Sequence, residues 1–143
     1  MALPNFTDSG GTLPGREGKL IGTVTSEEDR ASLASLYCAL MVNESLDAIR
    51  SSGVIIVDGP FAENDVFLQV LASLRPNQTI RASLLRDGTA AGAACLALMS
   101  GPLLPEIDIS MRDIEPAGFD VTGYHAKWRN QAQSETPHAH PNP

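Results

Sequence analysis

The chain has 143 residues, of which 43% are hydrophobic and 19% charged, a balance that suits one domain with a single core and excludes a disordered or membrane-spanning chain. Lys and Arg total 10 against 17 Asp and Glu, for a net charge of −7 and with no basic cluster, so a polyanion such as DNA or RNA would be repelled. The start, Met1-Ala2-Leu3-Pro4, has neither a basic stretch nor a sustained apolar run; no signal peptide or membrane anchor is expected, and the cytoplasm is the default location.

Residues 1–25 are rich in Gly, Pro and Thr, as in Ser9-Gly10-Gly11-Thr12 and Leu13-Pro14-Gly15-Arg16, and their lack of an apolar period predicts a loop. A Gly-Gly-Thr stretch holds phosphate where it joins a strand to a helix, but no strand precedes this one. Ser26-Glu27-Glu28-Asp29 reads as a helix start, with a hydroxyl cap and three acids facing the positive end of the helix dipole. Leu33, Leu36, Tyr37, Leu40, Met41, Ala48 and Ile49 then repeat at helical spacing, and Gly53 is expected to end the run. Glu44 interrupts that apolar stripe and is expected at its solvated edge.

Val54-Ile55-Ile56-Val57 is an unbroken β-branched run between Gly53 and Asp58-Gly59-Pro60, which predicts a central strand buried on both faces of a parallel sheet. After it, Val66, Phe67, Val70, Leu71 and Leu74 mark one face of a second helix stopped by Pro76. A short strand over 79–83 follows, and the turn Arg86-Asp87-Gly88 opens a small-residue helix that Gly101-Pro102 ends. Beyond residue 103 the pattern weakens, with a short strand predicted over 107–111, a helix over 121–131 and a disordered, Pro-rich tail over 132–143. His138 and His140 lie in that tail, where two histidines make no closed metal site. Cys38 and Cys95 fall in apolar helical patterns and read as buried structural thiols.

Alternating helix and strand places ligand sites at the C-terminal ends of the strands, beside helix N-termini. Asp58-Gly59-Pro60-Phe61-Ala62-Glu63-Asn64 occupies such an end. Gly59 permits an unusual backbone angle and close approach of a planar or anionic ligand, and Asn64 offers a donor and an acceptor at the mouth of the next helix. A Gly-Pro turn with an Asn cap is also a common structural device. Gly88-Thr89-Ala90-Ala91-Gly92-Ala93-Ala94 lacks the regular spacing of a nucleotide fingerprint, and its plain reading is close packing, with Gly92 letting the helix lie against a sheet.

The order of these segments resembles the C-terminal domain of FGGY-family carbohydrate kinases. The resemblance spans residues 26–101 and rests on Val54-Ile55-Ile56-Val57, the turn Asp58 to Asn64, the helix Asp65-Val66-Phe67-Leu68-Gln69-Val70-Leu71-Ala72 and the Gly88-Thr89-Ala90-Ala91-Gly92 segment, with Leu36-Tyr37-Cys38-Ala39-Leu40 in the preceding helix. It implies an α/β fold: a partial ribonuclease H-like, actin-like ATPase domain over 26–131, with a short sheet flanked by helices, after a loop-rich segment over 1–25. It also implies that Gly59, Pro60 and Asn64 line an adenine-nucleotide turn. Pro60 stands where many members have glycine, and its ring removes one N–H. Cys38, Val42 and Asn43 depart from the more usual Arg, Glu and Gly, which points to a subgroup akin to L-fuculose or L-xylulose kinases.

By the same resemblance, the complete enzyme transfers the ATP γ-phosphate to a sugar or polyol hydroxyl with Mg²⁺ in the cleft. Phosphoryl transfer needs a general base, metal-coordinating carboxylates and a phosphate-gripping loop. In the family these come from upstream of the segments matched here, so no catalytic or metal residue is assigned. Asp47, Asp58, Asp65 and Asp87 read as surface or turn residues. The chain is expected to be an incomplete kinase that binds adenine nucleotide weakly and has a separate N-terminal kinase domain, or itself, as partner. The alternative is a non-enzymatic module that pairs through an exposed sheet edge.

Overall fold

The chain was analysed as a computed structural model, which describes residues 1–6, 12–85, 87–99, 101 and 109–134. Its longest helix, α1 (Glu27–Ala48), begins as the sequence predicts: the Ser26 hydroxyl accepts a hydrogen bond from the Asp29 N–H at 3.0 Å, ahead of three acids in the first turn. The end differs from expectation. Arg50, and not Gly53, turns the chain, at φ 53°. Its N–H donates to the Asp47 carbonyl at 2.9 Å while the Ser51 N–H reaches back to the Leu46 carbonyl at 2.8 Å, the paired bonds of a Schellman cap. Gly53 is also left-handed, at φ 87°, and leads into the sheet.

That sheet has the order β3-β4-β5, with β3 (Ile55–Val57) parallel to β4 (Ile80–Ser83) and β5 (Met111–Asp113) antiparallel on the far side of β4. Between β3 and β4 run a 3₁₀ turn, Gly59–Glu63, and α2 (Asp65–Leu74). After β4 comes α3 (Gly88–Leu98), capped by Asp87, whose carboxylate accepts from the Ala90 N–H at 2.8 Å. The predicted strand over 107–111 is found displaced toward the C-terminus as β5, and residues 107 and 108 lie outside the described part.

The reading of Val54-Ile55-Ile56-Val57 as a central, doubly buried strand is corrected. Among the described residues β3 is an edge strand and β4 is the centre. Ile55 and Val57 face a core built from Ala39, Phe67, Leu68, Val70, Leu71, Ile80 and Ala82, whereas Ile56 is 54% exposed on the opposite face and Val54 55%. A β-branched run announces a strand that favours two covered faces, but it carries no information on whether the same chain covers both.

Residues 1–25 also depart from the predicted loop. They form a second, antiparallel sheet of β1 (Ala2–Leu3) and β2 (Lys19–Leu20), extended by bonds between Met1 and Ile21 in both directions. Strands of two residues show no period. Residues 7–11, which include Ser9-Gly10-Gly11, lie outside the described part. Gly18 is required by close approach: a Cβ there would meet the Phe6 ring at 2.5 Å and the Asn5 carbonyl at 2.7 Å.

The N-terminal hairpin is held by the last helix, α4 (Val121–Ser134). Trp128 is fully buried among Leu3, Leu13, Leu40 and Ala132, and its indole N–H donates to the Ala2 carbonyl at 2.7 Å. Arg16 Nε adds a bond to the Ala132 carbonyl at 2.7 Å. Ala132 is therefore core, and α4 runs past the predicted end at 131 to Ser134; residues 135–143, with His138 and His140, lie outside the described part.

Glu44 is a further correction. It is not a solvated edge: only 6% of it is exposed, and it receives His125 Nε2 at 2.9 Å and Arg129 Nη2 at 3.2 Å from α4. Its place in the apolar stripe is compensated by partners more than 80 residues away, which no local pattern reveals. One turn further along α1, Arg75 beyond α2 pairs with Asp47 at 2.6 Å. None of the described helices is long and apolar enough to cross a membrane.

Two outcomes follow. Trp128→Ala removes the ring that joins both ends of the chain and is expected to lower the unfolding free energy by about 3–5 kcal/mol, measured by urea denaturation. Arg50→Gly relieves a left-handed side chain and is expected to raise stability by roughly 0.5 kcal/mol in the same measurement.

Candidate functional site

The turns after β3 and β4 both lie at the C-terminal end of the parallel pair, on the same side of the sheet. Gly59 opens the first at φ 70°, and a Cβ at this position would have no atom within 4 Å. The residue is thus needed for its backbone angle, and the space above it is open to a ligand. With Pro60, Ala62, Glu63, Ser83, Leu84, Leu85 and Arg112 it lines a cleft of about 560 Å³, a size that accepts a small heterocycle with part of its substituents.

Asn64 caps α2, and its side chain is engaged on both sides. Its Oδ1 accepts from the Phe67 N–H at 3.0 Å, and its Nδ2 donates to Ser35 Oγ on α1 at 2.9 Å. It faces a second cleft of about 400 Å³, shared with Ala31, Ser32, Ser35, Pro60, Glu63, Asp65 and Val66. Pro60 and Glu63 line both clefts, so the 3₁₀ turn is a ridge. Of the three residues singled out in the sequence, Gly59 and Pro60 share the larger cleft, Pro60 and Asn64 the smaller, and Gly59 and Asn64 do not meet in either.

The Gly88 segment is adjacent to the larger cleft. Ser83 and Leu85 line that cleft and also a third, of about 280 Å³, with Ile56, Asp58, Gly88, Ala91 and Gly92. Gly88 has no room for a Cβ, because the Asp58 carboxylate lies there. Gly92 is different: its Cβ position is open space, so the close-packing reading of this glycine is not what the fold uses.

Both helix N-termini at this end are filled from within the chain. Asn64 caps α2 and Asp65 stands in its first turn; Asp87 caps α3 and Asp58 lies against Gly88. Their dipoles are met by carboxylates and an amide, which leaves little unopposed positive potential for phosphate oxygens. Among the described residues no three His, Cys, Asp or Glu side chains converge in one cluster. Cys38 and Cys95 are unpaired, Cys95 buried and Cys38 half-buried. Burial pushes the Cys38 thiol above its ordinary range, which lowers its thiolate fraction and its reactivity.

The family model described as carbohydrate kinase FGGY, C-terminal domain, matches residues 1–105. The chain belongs to this family. A solved structure of a carbohydrate kinase from Novosphingobium aromaticivorans is 33% identical and superposes with a TM-score of 0.76 over 92% of this chain. The chain spans only 28% of that kinase. None of the curated proteins compared with it matches. The mixed α/β arrangement, small sheets flanked by helices, is accordingly that of an FGGY C-terminal kinase domain.

Arg112 in the larger cleft, and Trp128, His125 and Arg129 in the α4 contacts, lie beyond the matched family segment. Sequence reasoning missed them because each stands in a weakly patterned region and gains its role from a distant partner. For the site itself, Gly59→Ala is expected to lower stability by about 1 kcal/mol through backbone strain alone. Gly92→Ala, inside α3 with open space around it, is expected to raise stability by roughly 0.5–1 kcal/mol. Paired denaturation curves check both signs.

Proposed function

We propose that this chain is the nucleotide-side part of a sugar or polyol kinase. In the whole enzyme the Gly59 cleft receives the adenine base of ATP, with Gly59 and Pro60 beneath it and Asn64 behind the ridge, positioning α2. The observation that carries this reading is the open, left-handed Gly59 at the rim of the larger cleft, in a chain of the FGGY C-terminal family. The general base, the Mg²⁺ ligands and the phosphate contacts are proposed to come from a separate N-terminal kinase domain. The departures at Cys38, Val42, Asn43 and Pro60 favour a subgroup akin to L-fuculose or L-xylulose kinases, and the cytoplasm suits both nucleotide and charge.

A second reading has one observation in its favour. The open edge of β3 and its exposed Ile56 suit a module that adds a strand from another chain. Self-association without nucleotide binding would favour it.

The described residues include no cluster of three metal-ligating side chains, and the helix N-termini beside the proposed base cleft are self-capped. Alone the chain is therefore expected to bind ATP no tighter than about millimolar, roughly −4 kcal/mol, with no gain from Mg²⁺, and to release no ADP with sugars. Amide shifts during ATP titration with and without Mg²⁺ measure the first. A coupled ADP assay over ketoses and polyols, with and without a supplied N-terminal domain, measures the second. Micromolar, Mg²⁺-dependent binding by the chain alone overturns the proposed division of labour.

A further inference from the structure

We propose that Arg112 is a nucleotide-binding residue that lays the flat face of its guanidinium on the bound adenine ring. This rests on the nucleotide reading above and adds to it a residue from outside the matched family segment. Arg112 lies on β5, where the antiparallel register sets it opposite Ala82, and its side chain lines the cleft that Gly59, Pro60 and Ala62 form on the other side. Its Nη2 donates to Asp65 Oδ1 at 2.8 Å. Asp65 opens α2 one residue beyond the Gly59–Glu63 turn, so this bond ties the guanidinium across from the strand to the base of the ridge.

The tether matters because the side chain is 47% exposed and would otherwise sample many rotamers. An in-plane hydrogen bond occupies the edge of a guanidinium and leaves its faces free, and those faces stack on aromatic rings. The remainder of the lining suits a flat ring: Pro60, Ala62, Leu84 and Leu85 are apolar, and Ser83 Oγ accepts from the Leu85 N–H at 3.2 Å. Among the described lining residues Arg112 is the cation and Glu63 the anion, so the cleft carries no net positive charge to attract phosphates. A cation held in place over an apolar slot fits the base better than the phosphate tail.

Adenosine and ATP, titrated into the full chain and followed by amide shifts, separate stacking from charge, because adenosine has the ring without the phosphates. Arg112→Ala is expected to weaken both ligands by the same factor, roughly three- to tenfold. Arg112→Lys, which keeps the charge and loses the plane, is expected to weaken them equally and not to rescue. The thermal midpoint of both variants should stay close to that of the wild type, since an exposed ion pair contributes little to stability. Unchanged affinity in Arg112→Ala, with shifts persisting at Gly59 and Leu84, overturns the role of Arg112 and leaves the base cleft standing. Loss confined to ATP and restored by Lys assigns Arg112 to the phosphates and overturns the stacking. Absence of adenosine shifts in the wild type well above millimolar overturns the cleft and Arg112 together.

Discussion

The Trp128 indole, fully buried with its N–H on the Ala2 carbonyl, is the contact on which the rest of the arrangement depends. It sets α4 against the N-terminal hairpin and presses both onto α1 through Leu40 and Leu3. A two-stranded hairpin is marginal on its own in water; here it is stable because a large aromatic surface and a satisfied carbonyl hold it to a helix. The Glu44 cluster acts beside it. Two α4 side chains, His125 and Arg129, meet one buried α1 carboxylate, which orients α4 as well as anchoring it.

With α1 fixed, α2 follows. Asn64 bonds to Ser35 on α1 at the start of α2, and Arg75 bonds to Asp47 on α1 at its end. Both ends of α2 are thereby referenced to one helix, and the intervening face fills the core with Phe67, Leu68, Val70 and Leu71. The 3₁₀ turn immediately before α2 has little freedom left, and it projects as the ridge between two clefts. Gly59 is the only left-handed residue of that turn, so the geometry of the cleft rests on α1 as much as on the turn sequence.

Electrostatics decide which part of a nucleotide such a site suits. Helix N-termini at the ends of parallel strands ordinarily welcome phosphates, yet both of these are occupied by the chain's own Asn64, Asp65, Asp87 and Asp58. In a chain of net charge −7, that disposition offsets the positive ends of both helix dipoles at the strand ends. On the proposed reading, this side takes the uncharged ring and another part of the enzyme takes charge and metal; the chain spans 28% of the related kinase.

Local patterns in the sequence determined α1 and α2 with their caps at Ser26 and Asn64, α3 after its turn at Asp87, the β3 and β4 segments, and the turn at Gly59. Each of these is set by neighbours within a few residues, through spacing, a capping side chain or a glycine angle. The segment order was enough to indicate the kinase family. Glu44 looked like a solvated edge because its compensating partners, His125 and Arg129, are remote in the chain. Ile56 looked buried because a β-branched run says what a strand favours and not what covers it. Gly92 looked like a packing contact because small residues read alike whether they are crowded or exposed. The hairpin, the displacement of β5 and the position of Arg112 across the cleft were decided by the tertiary structure alone, because each is produced by a contact between segments whose own sequences are too short or too weakly patterned to specify it.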